Sequence, residues 1–365
     1  MALENYALLI GSFFGLLVAA EIFINGIEWA GHRLGISEGA TGSVLAAIGT
    51  VLPETMIPII AIFFTAESSG EDVGVGAILG APFMLATIVM FLIGASVLIF
   101  SKRRSLGNNI VMDKGPVIRN LSVFFIAYTL ALIAALADNE LLAKAIAVFV
   151  TLLYIAYLYR TLTTGEMIEE SGIDELHLGI LIEKVTNASD MGDNPHSLLI
   201  LLQVLFAFGV FVVGAQVFVS QVTWLSQEVL HIPVAVVALL LAPLATELPE
   251  TFNSYFWIAR DKDTLAIGNI TGAMAFQATI PVTIGILFTS WDLTLEWGTA
   301  GFLNAFSVIL ALIGGGIVFL RIYDSDGDEP MRPVPFLIGG VFYVIFIVVL
   351  VYFVQNFDLA ISAAH

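Results

Sequence analysis

Ten stretches of this sequence run for at least 20 residues with no more than two charges each: 6–31, 40–65, 73–100, 118–137, 141–160, 198–223, 233–259, 264–289, 299–321 and 335–357. About 20 apolar residues in a helix cross the hydrocarbon layer of a membrane. Inside that layer backbone amides must bond within their own segment, which leaves helices and closed barrels. The alternating polar and apolar residues of barrel strands are absent. The expected fold is therefore all-α: a polytopic membrane protein with ten transmembrane helices. Composition agrees, since a mean hydropathy of +0.97 with 12% charged residues is far too apolar for a water-soluble globule of 365 residues.

The first run is too long for a cleavable signal and follows "MALENY", which has Glu4 and no basic residue, so it is expected to remain as a span. No lipidation motif is present. The lack of cysteine excludes disulfides, thiolate catalysis and cysteine metal sites. A net charge of -18 argues against nucleic-acid partners. With ten spans, twelve of the thirteen Lys and Arg residues fall on one side and only Lys144 on the other. The positive-inside rule then places both termini outside a cell membrane and the long 161–196 loop in the cytoplasm. Trp291 and Trp297 flank an outer loop, where an aromatic belt is expected.

The tetrapeptide LPET occurs twice, in "GTVLPETMIPI" (49–59) and "ATELPETFNSY" (245–255). A second pair of segments, 75–88 and 267–280, shares seven identities in fourteen positions, Gly76/Gly268 and Gly80/Gly272 among them. Two halves of five spans each, an odd number, must enter the membrane in opposite senses. This predicts two inverted five-helix repeats, 1–160 and 197–365, joined by an acidic linker, 161–196, with a site near the midplane. The glycines four apart are expected to let their helices approach the LPET helices closely.

Pro53 and Pro249 each remove an amide hydrogen, so the carbonyls of Gly49 and Ala245 lose their helical partners. In hydrocarbon a metal cation is one replacement. Glu54 and Glu250 follow directly, deep in their spans, where an ionised carboxylate is costly unless paired or hydrated. Thr50 and Thr246 lie four residues earlier on the same faces. Carbonyl, hydroxyl and carboxylate form the all-oxygen set that hard cations select.

These motifs resemble those of the sodium/calcium exchangers in the cation/calcium antiporter superfamily. In that family two inverted repeats carry Gly-Thr-Ser-Leu-Pro-Glu on one helix and Gly-Ser-Asn-x-Phe-Asn/Asp on the next. GTVLPE keeps five of six positions of the first motif, and ATELPE keeps four. The resemblance implies secondary active Na+/Ca2+ exchange by alternating access, with Glu54, Glu250, Thr50 and Thr246 as ligands.

The departures bear on the chemistry. Val51, Ala81 and Ala273 replace family serines, and Leu85 and Gln277 stand at the closing Asn/Asp positions. Leu85 cannot coordinate a cation. Glu247 stands where a serine is expected, three residues from Glu250, so charge absent at Gln277 is relocated to the preceding helix. That yields a metal-ligand set of Glu54, Glu250, Thr50, Thr246, Glu247, Gln277, Gly49 and Ala245. Close carboxylates disfavour joint ionisation, so H+-coupled Ca2+ or cation antiport stays open beside Na+ coupling. Thr87 and Thr279 offer either ligand hydroxyls or bonds back to their own helices.

Other features weigh less. Glu21, deep in the first span, is a candidate relay or gating group, whereas Glu28 and His32 sit near the cytoplasmic end. DSDGDE (324–329) departs from a calcium loop, because its glycine is one place early and Pro335 takes the twelfth position. A channel is the weaker alternative, since one chain supplies two inverted copies without a pore loop. No HExxH, intramembrane aspartate pair or serine elbow supports an enzyme. The expected partners are inorganic cations and the lipid bilayer, with no organic cofactor.

Overall fold

The computed structural model describes residues 2–33, 46–65, 69–137, 139–164, 175–186, 192, 194–325 and 330–357. The helices are α1 (Ala2–Arg33), α2 (Ala46–Phe64), α3 (Gly70–Phe100), α4 (Lys114–Leu136), α5 (Glu140–Thr164), a short α6 (His177–Thr186), α7 (Ser197–Leu230), α8 (Val234–Ala259), α9 (Asp263–Phe288), α10 (Ala300–Tyr323) and α11 (Val334–Asn356). Among the described residues each of the ten apolar runs lies on one long helix, the second from residue 46 onward, and α6 lies in the linker. Among the described residues eight helices are long and apolar enough to cross a membrane, and α8 is a ninth with a 53° bend. Helix α2, 19 residues long, carries the remaining run.

The lipid-facing surfaces follow from composition. Phe206 and Val213 on α7, Leu152 and Ile155 on α5, and Val344 and Val348 on α11 all stand exposed, as apolar side chains do when hydrocarbon is the solvent. Inside, one apolar cluster joins α3, α4, α5 and α8 to α11. A second joins α1, α2 and α7 to one side of α3 and α8.

The packing respects an exchange of the two halves. Helix α1 pairs with α7; α4 lies on α9 as α10 lies on α3; α5 lies on α9 as α11 lies on α3. The first glycine pair lies at one of these contacts. A Cβ at Gly76 would stand 2.2 Å from the Ala235 carbonyl oxygen, and one at Gly80 would stand 2.0 Å from that of Leu239, so α3 lies backbone to backbone on α8. Among the described residues the same test meets nothing within 4 Å at Gly268 and the Asn120 amide at 3.7 Å at Gly272. The expected close approach is seen for the first pair; positions 39 and 43, which match Ala235 and Leu239 in the first half, lie outside the described residues.

Loops predicted to share a side are brought together. At the basic face the 101–113 loop docks on the α8–α9 junction: Arg104 grips Asp263 at 2.7 Å through each of two nitrogens and also donates to the carbonyl of Asn109. Beside it, the Asp261 carboxyl is held below the ordinary aspartate range. Partial burial pushes it the other way, but hydrogen bonds from the Ser105 amide and hydroxyl and the charge of Arg104 prevail. Ile110 and Met331 form a single antiparallel bridge on this face. At the opposite face Glu71 accepts from the Ser290 amide, and the Trp297 ring meets that of Phe353.

Only one of the two tryptophans expected in a belt is there. Trp297 is 54% exposed, but Trp291 is buried, donates to the Ala131 carbonyl at 3.1 Å and lies over Gly285. Its indole N–H finds a partner inside the bundle, so it plugs the core rather than the interface.

Candidate cation site

Helix α8 bends by 53° between Leu248 and Glu250, at Pro249, where the missing amide and the clash with the preceding turn open the ladder. The bend aims Glu247 and Glu250 at α2, whose own proline motif presents Glu54. One carboxylate oxygen from each of Glu54, Glu247 and Glu250 lies within 4.8 Å of the other two, and all three residues are buried.

Helix α9 closes the cluster. Its first segment ends at Gln277, and the chain breaks at Ala278 and Thr279 before resuming at Ile280, with Pro281 in the new first turn. The Gln277 amide donates to Glu247 at 3.2 Å and to Glu54. At the matching place in the first half, α3 loosens into a π turn at Leu85–Val89. Both halves thus interrupt a helix at the same register, but only the second ends in a polar side chain. Leu85 is fully buried and brings no ligand atom. The carbonyl oxygens of Ala86 and Thr87 in that π turn press on Gly314 and Gly339, where a Cβ would stand 2.8 and 2.4 Å away.

The remaining expected ligands divide. Thr246 is buried on α8, one residue before Glu247. Gly49 and Thr50 in α2 and Ala245 in α8 lie outside the residues whose surroundings the structure describes, as do the side chains of Val51, Pro53 and Pro249. Thr87 donates to its own helix at Phe83, and Thr279 to Ala275 and Phe276, at 2.5 to 3.0 Å. A hydroxyl in hydrocarbon takes the nearest carbonyl, four residues back, so neither reaches the carboxylates. Glu21 faces His177 of the linker at 3.9 Å and is exposed, and it is not one of the three clustered carboxylates. DSDGDE lies outside the described residues from Asp326 to Glu329.

Two contributors went unforeseen. Tyr154 of α5 sets its ring edge-on to Phe276, beside Gln277. Thr251 donates to the Glu247 carbonyl at 2.6 Å and so occupies a backbone oxygen at the bend. A tyrosine in an apolar run carries no sequence signal for a site that another helix brings to it. Thr251 was visible as the last letter of LPET.

The electrostatics are decided by what the carboxylates lack. One oxygen each of Glu247 and Glu250 is buried without a hydrogen-bond partner, and no Lys or Arg side chain is paired with the cluster among the described residues. Two like charges 4 Å apart repel by about 4 kcal/mol at an effective dielectric of 20. Three in one cage hold together only with a cation or bound protons. An all-oxygen cage of this charge suits a hard cation.

A sequence model of the sodium/calcium exchanger protein family matches residues 4–163 and 199–355. The chain belongs to that family. The exchanger match thus covers both halves and stops at the linker. Among solved structures, the crystal structure of the H+/Ca2+ exchanger CAX is similar with a TM-score of 0.67 at 15% identity, over 98% of this chain and 86% of that one. The sodium-calcium exchanger NCX_Mj, soaked with 100 mM Na+ and 10 mM Sr2+, is similar with a TM-score of 0.53 at 18% identity, over 95% and 99%. At these identities the likeness is one of fold. No curated relative matches the chain. Membership makes the protein a multi-pass membrane protein of an exchanger family, and the carboxylate cluster includes the glutamate of each LPET copy.

Proposed function

We propose that the protein is a secondary antiporter that exchanges Ca2+ for Na+ across a cell membrane, with Glu54, Glu247, Glu250 and Gln277 holding the transported cation. The observation that carries this reading is the cage itself: three buried carboxylates from α2 and α8, two with an unpartnered oxygen, in a member of the exchanger family. Thr50, Thr246 and the carbonyls of Gly49 and Ala245 complete the proposed set. The two halves, 1–160 and 197–365, act as inverted duplicates around the cage, and alternating access exposes it to each side in turn. Both termini lie outside and the linker is cytoplasmic in this reading, which the bias of Lys and Arg to one side supports.

A second reading has its own support. Three buried carboxylates crowd one cage with no Lys or Arg side chain paired to them among the described residues, and like charges this close cannot all stay ionised when no metal is there. Protons then replace Na+ as the driving ion.

Calcium uptake into proteoliposomes under imposed gradients tests both. Uptake driven by an outward Na+ gradient and lost in Glu250→Gln supports Na+/Ca2+ exchange. Uptake that follows a pH gradient and ignores Na+ supports proton coupling. Uptake that needs neither counter-ion sinks antiport in favour of a channel. The lack of cysteine makes single-cysteine labelling from either side a direct test of orientation.

A further inference from the structure

The linker's ordered part does not hang free of the bundle. Helix α6 begins against two amides, Asn25 of α1 and Gln203 of α7, each buried at 5% exposure or less within an apolar helix. Gln203 donates to the Asn25 side-chain oxygen and to the Ile22 carbonyl, both at 2.9 Å. The two side-chain oxygens then take the first amides of α6: His177 donates to Asn25 at 3.2 Å and Leu178 to Gln203 at 2.7 Å. Leu176 fills the space between Trp29 and Ile200. Further along, Arg33 donates to the Asn194 side chain and the Pro195 carbonyl at 2.6 and 2.7 Å.

Amides in such positions are costly unless satisfied, and the first amides of a helix have no partner of their own. Each need meets the other here. At ten residues α6 is too short to hold its helix alone in water, so docking and helix formation are one event. The dock also exists only at one register. Asn25 and Gln203 sit on different helices from different halves, and at the same level a Cβ on Gly26 would stand 2.8 Å from Val204. A shift of α1 along α7 by one turn, about 5.4 Å, would break the Asn25–Gln203 bond and both α6 bonds together.

We propose that the described linker segments, 175–186 and 194–196, form a strap that fixes α1 to α7 through Asn25 and Gln203, so that the two helices keep one register throughout transport and the strap sets the exchange rate without contacting the cation. The rate claim rests on the exchange reading; the register claim does not.

The native chain has no cysteine, so paired cysteines can be introduced cleanly. Arg33→Cys with Asn194→Cys, joined by a short thiol-bridging reagent, is expected to exchange Ca2+ within about twofold of the unbridged protein, because the joined parts never separate. Gln203→Leu and Asn25→Leu are expected to lower the maximal rate at least about fivefold while leaving the half-saturating Ca2+ concentration unchanged. Spin labels at His32→Cys and Leu198→Cys read the register directly: one narrow distance distribution, broadened by Gln203→Leu. Loss of exchange on bridging would overturn the proposal, as would a Gln203→Leu protein with native rate and native distance distribution. If the unaltered protein moved no Ca2+ under any gradient, the exchange reading would fall with the rate claim, and the spin-label distances would still decide the strap.

Discussion

Arg104 and Asp263 meet in a two-point ion pair, 2.7 Å at each contact, and neither side chain reaches solvent. They are 159 residues apart and belong to different halves, so this pair fastens the α3–α4 loop to the turn between α8 and α9, the two helices that carry Glu247, Glu250 and Gln277. Removing one member leaves a buried charge alone, which costs about 3–5 kcal/mol, whereas replacing both with apolar residues of similar size is far milder. Arg104→Ala is therefore expected to lower the unfolding temperature in detergent sharply, and Arg104→Met with Asp263→Leu to recover most of the loss. Equal losses in the single and double variants would show that the charge is not what holds this junction.

Asp261, next to that pair, adds a pH dependence whose sign is fixed. Its folded value lies below the ordinary 3.8, so its contribution is present above that value and is lost as pH falls through the folded one. Ser105→Ala removes the hydroxyl donor and is expected to move the acid unfolding midpoint upward. Asp261→Asn should remove the dependence from this group altogether.

Glu247 is the residue that most distinguishes this cage. Glu247→Ser restores the family's motif residue and removes one of three carboxylates. Calcium affinity is expected to fall at least about tenfold, equivalent to 1.4 kcal/mol, when binding is measured at equilibrium by calorimetry. Glu54→Gln, which keeps shape but not charge, should weaken binding similarly. Unchanged affinity in both would mean the cation sits elsewhere.

Gly80 tests the close contact between α3 and α8. Gly80→Ala drives a methyl onto the Leu239 carbonyl and should cost about 1–3 kcal/mol or more, seen as poor yield or early thermal unfolding.

Trp291 offers a packing test at the opposite face. Trp291→Ala empties the space over Gly285 and leaves the Ala131 carbonyl without its donor, for an expected loss of about 3–5 kcal/mol. Trp297→Ala, half exposed, should cost much less. Matching thermal shifts would contradict the different burial of the two rings.

The sequence by itself determined the helices, because spanning a membrane is a demand each segment meets alone: about 20 apolar residues with every backbone group bonded inside the segment. It also determined that Glu54 and Glu250 are special, because a proline beside a carboxylate in hydrocarbon is costly wherever its helix lies. The tertiary structure decided which polar groups meet. Glu247 and Gln277 share a cage because a bend in α8 and a break in α9 turn them toward Glu54, whereas Thr87 and Thr279 bond back into their own helices. Repeat symmetry in the letters marked the glycine pairs, and packing decided that Gly76 and Gly80 meet the α8 backbone at Ala235 and Leu239. Asn25 and Gln203 read as isolated polar residues in two apolar runs 178 positions apart. Their partnership depends on α1 lying against α7, a relation between helices that no pattern within either helix encodes.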